Sequence, residues 1–250
     1  MITYEFPFNE RIRMLLRLED LYEKFQFFLQ QEHPLQHHVA LTTIFEILEV
    51  IGRQDLKGDL LQDLERQKQI LQGFRTHPDV QVSVLDTVLA NIGRASAALL
   101  APQGRTGQAI RDNEWLMSVR GRTIIPGGAC EFDLPSYYAW KNKPSEERFS
   151  DIENWFRPLV ALFDAINVIL GIVRDSGTTT ENIAQSGTFQ QMLHGKIYQL
   201  LRIELDQKLG VIPETSANKY MLSVRFTLQE GGVVKPKPTT EDVPFKVTLC

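Results

Sequence analysis

Hydrophobic positions in the first half of the chain recur with the period of amphipathic helices. After Asn9, apolar residues return every three or four positions until the chain reaches Pro34. A later stretch stops at Gly52, and another follows Asp55, a residue well suited to capping a helix N-terminus. The predicted helices cover residues 9–30, 35–51, 56–74 and 80–100. Their short connections predict antiparallel packing in a bundle.

The pattern changes in the middle of the chain. Residues 108–121 predict a shorter helix, and the following TIIPGGACEFDLP places proline and glycine around an apparent strand, Ala129–Leu134. Residues 175–191 are polar with little periodicity, so we assign them to a loop.

One strongly apolar segment, Trp155–Arg174, needs separate treatment because its length approaches that of a membrane span. Ser150 and Glu153 resemble a capping box ahead of it, and Pro158 predicts a kink or a late start. Asp164 lies near its centre, where an aspartate costs about 2.5 to 3.5 kcal/mol in a bilayer. We therefore predict a buried helix and no membrane insertion.

The two ends of the chain alternate polar and apolar residues with period two, which is typical of strands with one buried face. These segments are residues 2–6, 197–205, 220–228 and 243–249. They predict one antiparallel sheet whose strands come from the beginning, middle and end of the chain, and hence an α+β fold. The expected domains are a helical one, residues 8–122 and 135–176, and a β-rich one, residues 1–7, 123–134 and 195–250.

Composition narrows the possible functions. The net charge of −4 and pI near 5.8 argue against a general nucleic-acid binder. Cys130 and Cys250 are the two cysteines, and they form neither a disulfide framework nor a zinc motif. The N-terminal residues lack the features of a signal peptide, so we expect a cytoplasmic protein.

Cys130 is the best candidate for a catalytic residue. It follows Gly127 and Gly128, whose amides could form an oxyanion hole, and a cysteine-dependent hydrolase is therefore an alternative function. A nucleophilic cysteine needs a base, and the histidines provide no local signature of one. We favour a structural cysteine at the start of a strand, and no enzyme activity.

Three histidines are close together in sequence, at His33, His37 and His38. Pro34 disfavours one continuous helix through them, and no acidic ligand stands at the spacing of a zinc-binding helix motif. Ordinary surface histidines are expected. Because nucleotide-binding glycine motifs are also missing from the sequence, we predict neither a metal nor a cofactor.

The distribution of charge gives a better indication of function. Residues 195–250 carry eight basic and six acidic side chains, a net +2, so the remainder carries −4 minus 2, or −6. The strand pattern predicts that Arg202 and Arg225 project outward, with Lys219 at a strand end, while Arg120 and Arg122 lie at a helix-to-strand junction. Such residues can serve solubility and edge protection, or bind a small anion or nucleic acid.

The order of several motifs resembles the ZapD family of division proteins. The most specific block is RGRTIIPGGACEFDLP, residues 120–135; FNERIRMLLRLE, LLQDLERQKQIL and YMLSVRF extend the similarity over nearly the whole chain. The resemblance implies a helical domain joined to a β-rich domain, a symmetric homodimer, and binding to the C-terminal tail of FtsZ. It further implies cross-linking of FtsZ filaments at the mid-cell division ring.

The same resemblance implicates basic residues in binding the tail. Arg17, Arg53 and Arg225 match arginines that are implicated in relatives. Three positions depart from the basic residue or histidine expected there, namely Met221, Glu114 and Tyr138. Since Met221 lies four residues before Arg225, the outward strand face is expected to be less charged than usual, and Lys219 on that face is expected to compensate in part.

Overall fold

The computed structural model describes residues 1–52, 55–101, 104–228 and 236–250. The chain divides into two compact units. One comprises Met1–Leu15 and Leu170–Cys250, and the other comprises Leu16–Ile169. The first is rich in strands and the second is helical. The fold class is therefore α+β, as predicted.

The helices follow the hydrophobic pattern closely. The chain contains α1 Glu10–Leu29, α2 Pro34–Ile51, α3 Leu56–Gly73, α4 Val82–Leu100, α5 Gln108–Arg111, α6 Glu114–Thr123, α7 Pro135–Lys141, α8 Ser145–Phe156 and α9 Val160–Asp175. The Asp55 side chain caps α3 by accepting a hydrogen bond from the amide of Gly58, as predicted. The predicted helix at 108–121 is interrupted, because Asn113 caps α6 as a new helix.

Aromatic side chains fill the interior of the helical unit. The ring centroids of Phe25 and Phe156 lie 4.0 Å apart, and those of Tyr22 and Phe163 lie 4.5 Å apart. These rings come from α1, α8 and α9, which explains why the apolar face of each helix is broad.

The regular helix of the apolar segment around α9 is interrupted at Pro158, where the sequence predicts a kink or a late start. A short 3-10 helix, Arg157–Leu159, contains Pro158 and separates α8 from α9. The predicted capping box at Ser150 is wrong, since α8 already begins at Ser145 directly after Pro144. By length and composition alone Ser145–Asp175 could cross a membrane, and half of its most apolar window is buried within the protein.

The strands of the other unit form two antiparallel sheets among the described residues. They are β1 Ile2–Pro7, β2 Thr178–Ala184, β3 Thr188–Met192, β4 Leu200–Leu205, β5 Val211–Ala217, β6 Met221–Leu228, β7 Lys237–Pro238 and β8 Val243–Leu249. Sheet A has the order β1-β4-β8-β2, and sheet B has the order β3-β6-β5 with β7 beside β6. The single sheet predicted from the sequence is therefore wrong.

The two sheets pack face to face around a shared apolar core. Phe245 of sheet A lies 5.0 Å from Phe226 and 5.1 Å from Phe189, both of sheet B, measured between ring centroids. Leu222 and Val224 are fully buried beside them. Alternation gives each strand one buried face, but it does not tell whether helices or a second sheet cover that face.

Two local predictions are wrong. Ala129–Leu134 is not a strand: the amide of Leu134 bonds the carbonyl of Cys130 at 2.9 Å, so successive turns occupy this segment. Residues 175–191 are not a loop, because they contain β2 and most of β3. Ser186 and Gly187 have positive φ angles of 46° and 70°, which the two-residue hairpin between these strands requires.

Strand β4 is shorter than its alternation predicts. It begins at Leu200, whereas the expected strand began at Ile197, whose side chain is 93% exposed. The residues before Leu200 have the right alternation but lie outside the ladder.

Candidate partner-binding surface

The outward face of sheet B contains the most promising predicted site residue, Arg225. Along β6, Leu222, Val224 and Phe226 point into the core, so Arg225 and Ser223 point outward between them. The register places Arg225 opposite Thr188 of β3 and Glu214 of β5. Arg225 therefore lies on the central strand of an open sheet face.

Arg225 is exposed, and it forms no ion pair within 4.0 Å among residues 1–52, 55–101, 104–228 and 236–250. Glu214 is its nearest acidic neighbour by register, yet the two side chains are not paired. The guanidinium thus keeps its donors available for a carboxylate from another molecule.

Lys219 does not lie on the face of β6, contrary to the sequence-based expectation. It occupies the bend between β5 and β6, where the side-chain oxygen of Asn218 accepts hydrogen bonds from the amides of Tyr220 and Met221. The Lys219 ammonium lies 4.7 Å from the centroid of the Tyr220 ring. This lysine is exposed at the end of the β5–β6 hairpin.

Arg202 lies on the other sheet and is already engaged. Its Nε is 3.1 Å from Glu5 Oε1, and Arg174 donates two hydrogen bonds to the same carboxylate at 2.7 and 2.8 Å. Lys246 on the same face pairs with Glu181 at 3.2 Å. The basic residues of sheet A are therefore compensated, in contrast to Arg225.

The remaining predicted site residues belong to the helical unit or lie outside the described residues. Arg17 is exposed on α1. Arg120 donates to Glu49 Oε2 at 2.7 Å, and Arg122 lies 4.0 Å from Asp133. Arg53 falls outside the described residues.

Two arginines that are not among the predicted site residues lie at the C-terminal end of α2. Arg105 donates to the carbonyl of Gly52 at 2.7 Å, and Arg111 donates to the carbonyl of Leu48 at 3.0 Å. Burial lowers the pKa of Arg111, and the neighbouring Arg105 and Arg120 lower it further. These cations complement the carbonyl end of the helix dipole. Gly104 and Gly107, which lie on either side of Arg105 in the sequence, indicate a tight loop at this place.

A cleft of about 450 Å³ adjoins this cluster. Its walls come from the end of α2, the start of α3 and the loop containing Arg105. Lys57 and Arg105 contribute positive charge, and Asp55 contributes negative charge. The helical unit thus contains a cleft with charged side chains of both signs in its walls.

The three departures from the family pattern have different surroundings. Glu114 begins α6 and is exposed. Tyr138 is 44% exposed, with the Lys141 ammonium 5.7 Å from its ring centroid. Met221 lies on sheet B opposite Met192, which is itself exposed.

Cys130 does not have the surroundings of a nucleophile. Its thiol donates to the carbonyl of Gly127 at 2.7 Å, within a series of turns rather than at the start of a strand. No histidine is hydrogen-bonded to it within the described ranges. The thiol thus has a hydrogen-bond acceptor within its own turn, which is typical of a structural cysteine.

The histidines are not surface residues as a group, which corrects our expectation. His33 caps α2 through a capping box with Gln36, His37 is fully buried, and His38 Nδ1 lies 2.5 Å from the hydroxyl of Tyr137. Burial raises the pKa of Tyr137 and lowers that of His38. No cluster of three or more potential metal ligands occurs in the described part of the chain.

Comparison with known proteins gives one consistent family. Residues 16–225 match the ZapD family model, described as a cell division protein. Proteins named cell division protein ZapD from Janthinobacterium sp. (strain Marseille), Ralstonia nicotianae and Ralstonia pickettii are 64%, 57% and 56% identical. Each alignment covers 100% of this chain and 99% of the relative. The chain therefore belongs to the ZapD family of cell division proteins.

Proposed function

We propose that this protein acts in cell division as a non-enzymatic, cytoplasmic adaptor that binds the C-terminal tail of FtsZ. In this proposal a homodimer offers two tail-binding sites, cross-links neighbouring FtsZ filaments and stabilises the division ring at mid-cell. Arg225 is the principal tail contact, with Lys219 on the same unit and Arg17, Arg53, Arg120 and Arg122 on the helical unit. Arg202 instead stabilises the strand-rich unit through its ion pair with Glu5.

The observation that carries the proposal is the exposed guanidinium of Arg225, which has no ion-pair partner among the described residues, on a protein whose net charge is −4. A protein of this charge does not attract anions as a whole, so a basic site must act locally. A guanidinium can bind a carboxylate of a disordered acidic tail through two parallel hydrogen bonds. Other predicted basic residues are less suitable as the principal contact, because each already has a carboxylate partner: Arg202, Lys246, Arg120 and Arg122.

Bridging follows from having two such sites. A single weak contact between one arginine and one tail would give little stable binding. A dimer that engages two tails raises the effective concentration of the second contact, and an FtsZ filament presents many tails side by side. Weak sites can therefore produce strong bundling without tight binding at each site.

The test is co-sedimentation with FtsZ filaments, supported by light scattering of the bundles. The protein is mixed with full-length FtsZ or with FtsZ lacking its C-terminal tail. Arg225→Glu is the test variant. Lys246→Glu is its matched control, since it makes the same charge reversal on the outward face of sheet A.

We expect the protein to pellet with full-length FtsZ and not with tail-deleted FtsZ. Arg225→Glu should weaken pelleting by about tenfold or more, because it replaces a charge-assisted contact by repulsion, and Lys246→Glu should change it little. Raising the salt concentration should dissolve the bundles, since exposed charges are screened over about 8 to 10 Å at physiological ionic strength. Equal pelleting with both forms of FtsZ, or a strictly monomeric protein, would contradict the proposal.

A further inference from the structure

Two methionines face each other on the outward side of sheet B. Met192, the last residue of β3, and Met221, the first residue of β6, are paired in the register. The row beyond them is polar, with Gln190 opposite Ser223. The next row contains Arg225, so the methionine pair lies four residues from the guanidinium along the same strand.

Solvent reaches this apolar pair mainly at Met192, which is exposed, whereas Met221 is half-buried. Met192 is 58% exposed, and Tyr220, which adjoins Met221 in sequence, is 56% exposed. The inward neighbours Leu222 and Val224 already fill the core, so the methionines are not needed there. Methionine is flexible and polarisable, and exposed methionines commonly serve surfaces that adapt to a partner.

The charges around the pair indicate the chemistry of that partner. Arg225 lies at one end of the surface and Lys219 at the other, in the hairpin bend beside Tyr220. Glu214, opposite Arg225, is the acidic side chain that the register brings to this face. Two cations on either side of an apolar patch suit a peptide that combines carboxylates with an apolar side chain.

We infer that Met192 and Met221 form an apolar subsite of the surface that binds the FtsZ tail, and that Arg225 holds a carboxylate of the same peptide. The inference rests on the proposed function and adds a requirement to it. Four residues along a strand span about 13 Å. The bound segment, if extended, therefore places its apolar side chain and its acidic side chain about four residues apart, on one face.

Ser223, Gln190 and Ser216 lie between these two subsites. The two serines are short, and the hydroxyl and amide groups of all three side chains provide hydrogen-bonding groups for a peptide backbone. From Met221 to Arg225 the face thus changes from apolar through polar to cationic. Such a surface selects a peptide with a particular order of side chains, whereas positive charge alone would attract any acidic tail.

The experiment measures binding of a fluorescently labelled synthetic peptide with the sequence of the FtsZ C-terminal tail to the full-length protein by anisotropy. Met192→Ser and Met221→Ser are the test variants. Ile183→Ser is the matched control, because Ile183 is 61% exposed on β2 of sheet A. A thermal melt verifies that each variant is folded, and Met192→Gln replaces any serine variant that is not.

Each serine variant should bind the peptide about five to ten times more weakly, since it removes part of the apolar area that a methionine buries. The Ile183→Ser control should bind as the wild type does. Peptides in which one apolar residue at a time is changed to serine should lose affinity for the wild type by the same factor, and only at one position. That position should lie about four residues from an acidic residue whose replacement also weakens binding.

The outcomes separate this inference from the proposed function. If the wild type binds the peptide and Arg225→Glu abolishes binding, while both methionine variants bind normally, the apolar subsite is refuted and tail binding stands. If the wild type does not bind the peptide, both ideas are refuted. Binding of the wild type to vesicles of anionic lipid with the same dependence on the methionines would refute a peptide as the occupant.

Discussion

Arg148 donates a hydrogen bond from its Nε to Nδ1 of His37 at 3.1 Å, and both side chains are buried in the helical unit. Because a guanidinium can only donate, this nitrogen of His37 must be the unprotonated one. Burial lowers the pKa of His37, and the positive charge of Arg148 lowers it further. The buried pair thus favours neutral histidine.

This relationship makes stability depend on pH. The unfolded chain binds a proton at His37 near pH 6.5, and the folded protein does so only at lower pH. The stability that neutral His37 provides is therefore present above about pH 6.5 and lost as the pH falls below it, by at most about 1.4 kcal/mol per pH unit for one proton. His38 adds an effect of the same sign.

Urea unfolding at pH 7.5 and pH 5.5 measures the effect. His37→Gln should lose less stability than the wild type over this interval, since glutamine can accept from Arg148 but does not titrate. His38 is retained in both proteins, so its contribution cancels in the comparison. Parallel pH profiles for the two proteins would show that His37 is not responsible.

Replacement of Arg148 should strongly destabilise the helical unit. The guanidinium also donates to the carbonyls of Glu32, Lys141 and Lys143. Arg148→Met keeps much of the volume but leaves these carbonyls without their donor, so we expect a loss of about 3 kcal/mol. Chemical denaturation measures it, with Arg157→Met as the control, an exposed arginine of the same segment. Equal stabilities would contradict the expected role.

Arg148 also shows what the sequence could not provide. The helices could be predicted because their caps and periods are local, as at Asp55. From sequence alone, the buried Arg148 cannot be distinguished from an exposed charged residue on a helix. Its partners Glu32 and His37 are more than 100 positions away in sequence. The same limit applies to the second sheet: alternation gave the inner faces of β6 and β8, but not that they face each other.

At the candidate site, too, some features could be predicted from the sequence and others depend on the fold. Arg225 could be placed on an outward face from period two alone, and it is exposed there. The engagement of Arg202 by Glu5 could not be foreseen, because it depends on the pairing of β1 with β4. Lys219 was placed on the strand face because the strand appeared to continue through it, whereas Asn218 ends the pattern by holding the bend.

Glu5→Gln should destabilise the strand-rich unit while leaving the proposed binding to FtsZ intact. The carboxylate lies between Arg174 and Arg202, and its loss leaves two partly buried cations close together. We expect a loss of about 2 kcal/mol in the free energy of unfolding. The affinity for FtsZ filaments, measured by pelleting at a temperature where the variant is folded, should not change. A specific loss of pelleting would mean that this face also binds the partner.

Cys130→Ser should leave the proposed bundling of FtsZ unchanged. The serine hydroxyl can donate to the Gly127 carbonyl as the thiol does, so the turn should persist with a stability within about 1 kcal/mol of the wild type. Light scattering of FtsZ bundles provides the measurement. Loss of function in a folded Cys130→Ser protein would favour the cysteine-dependent alternative.

The position of β1 has a consequence for how the chain is made. Ile2–Pro7 pairs with Leu200–Leu205, whereas the helical unit lies between them in sequence. On the ribosome, the first strand must therefore wait until nearly the whole polypeptide has emerged, while Leu16–Ile169 already has its own interior. Translation that stops early would leave that strand without a neighbour, exposed to pairing with other nascent chains.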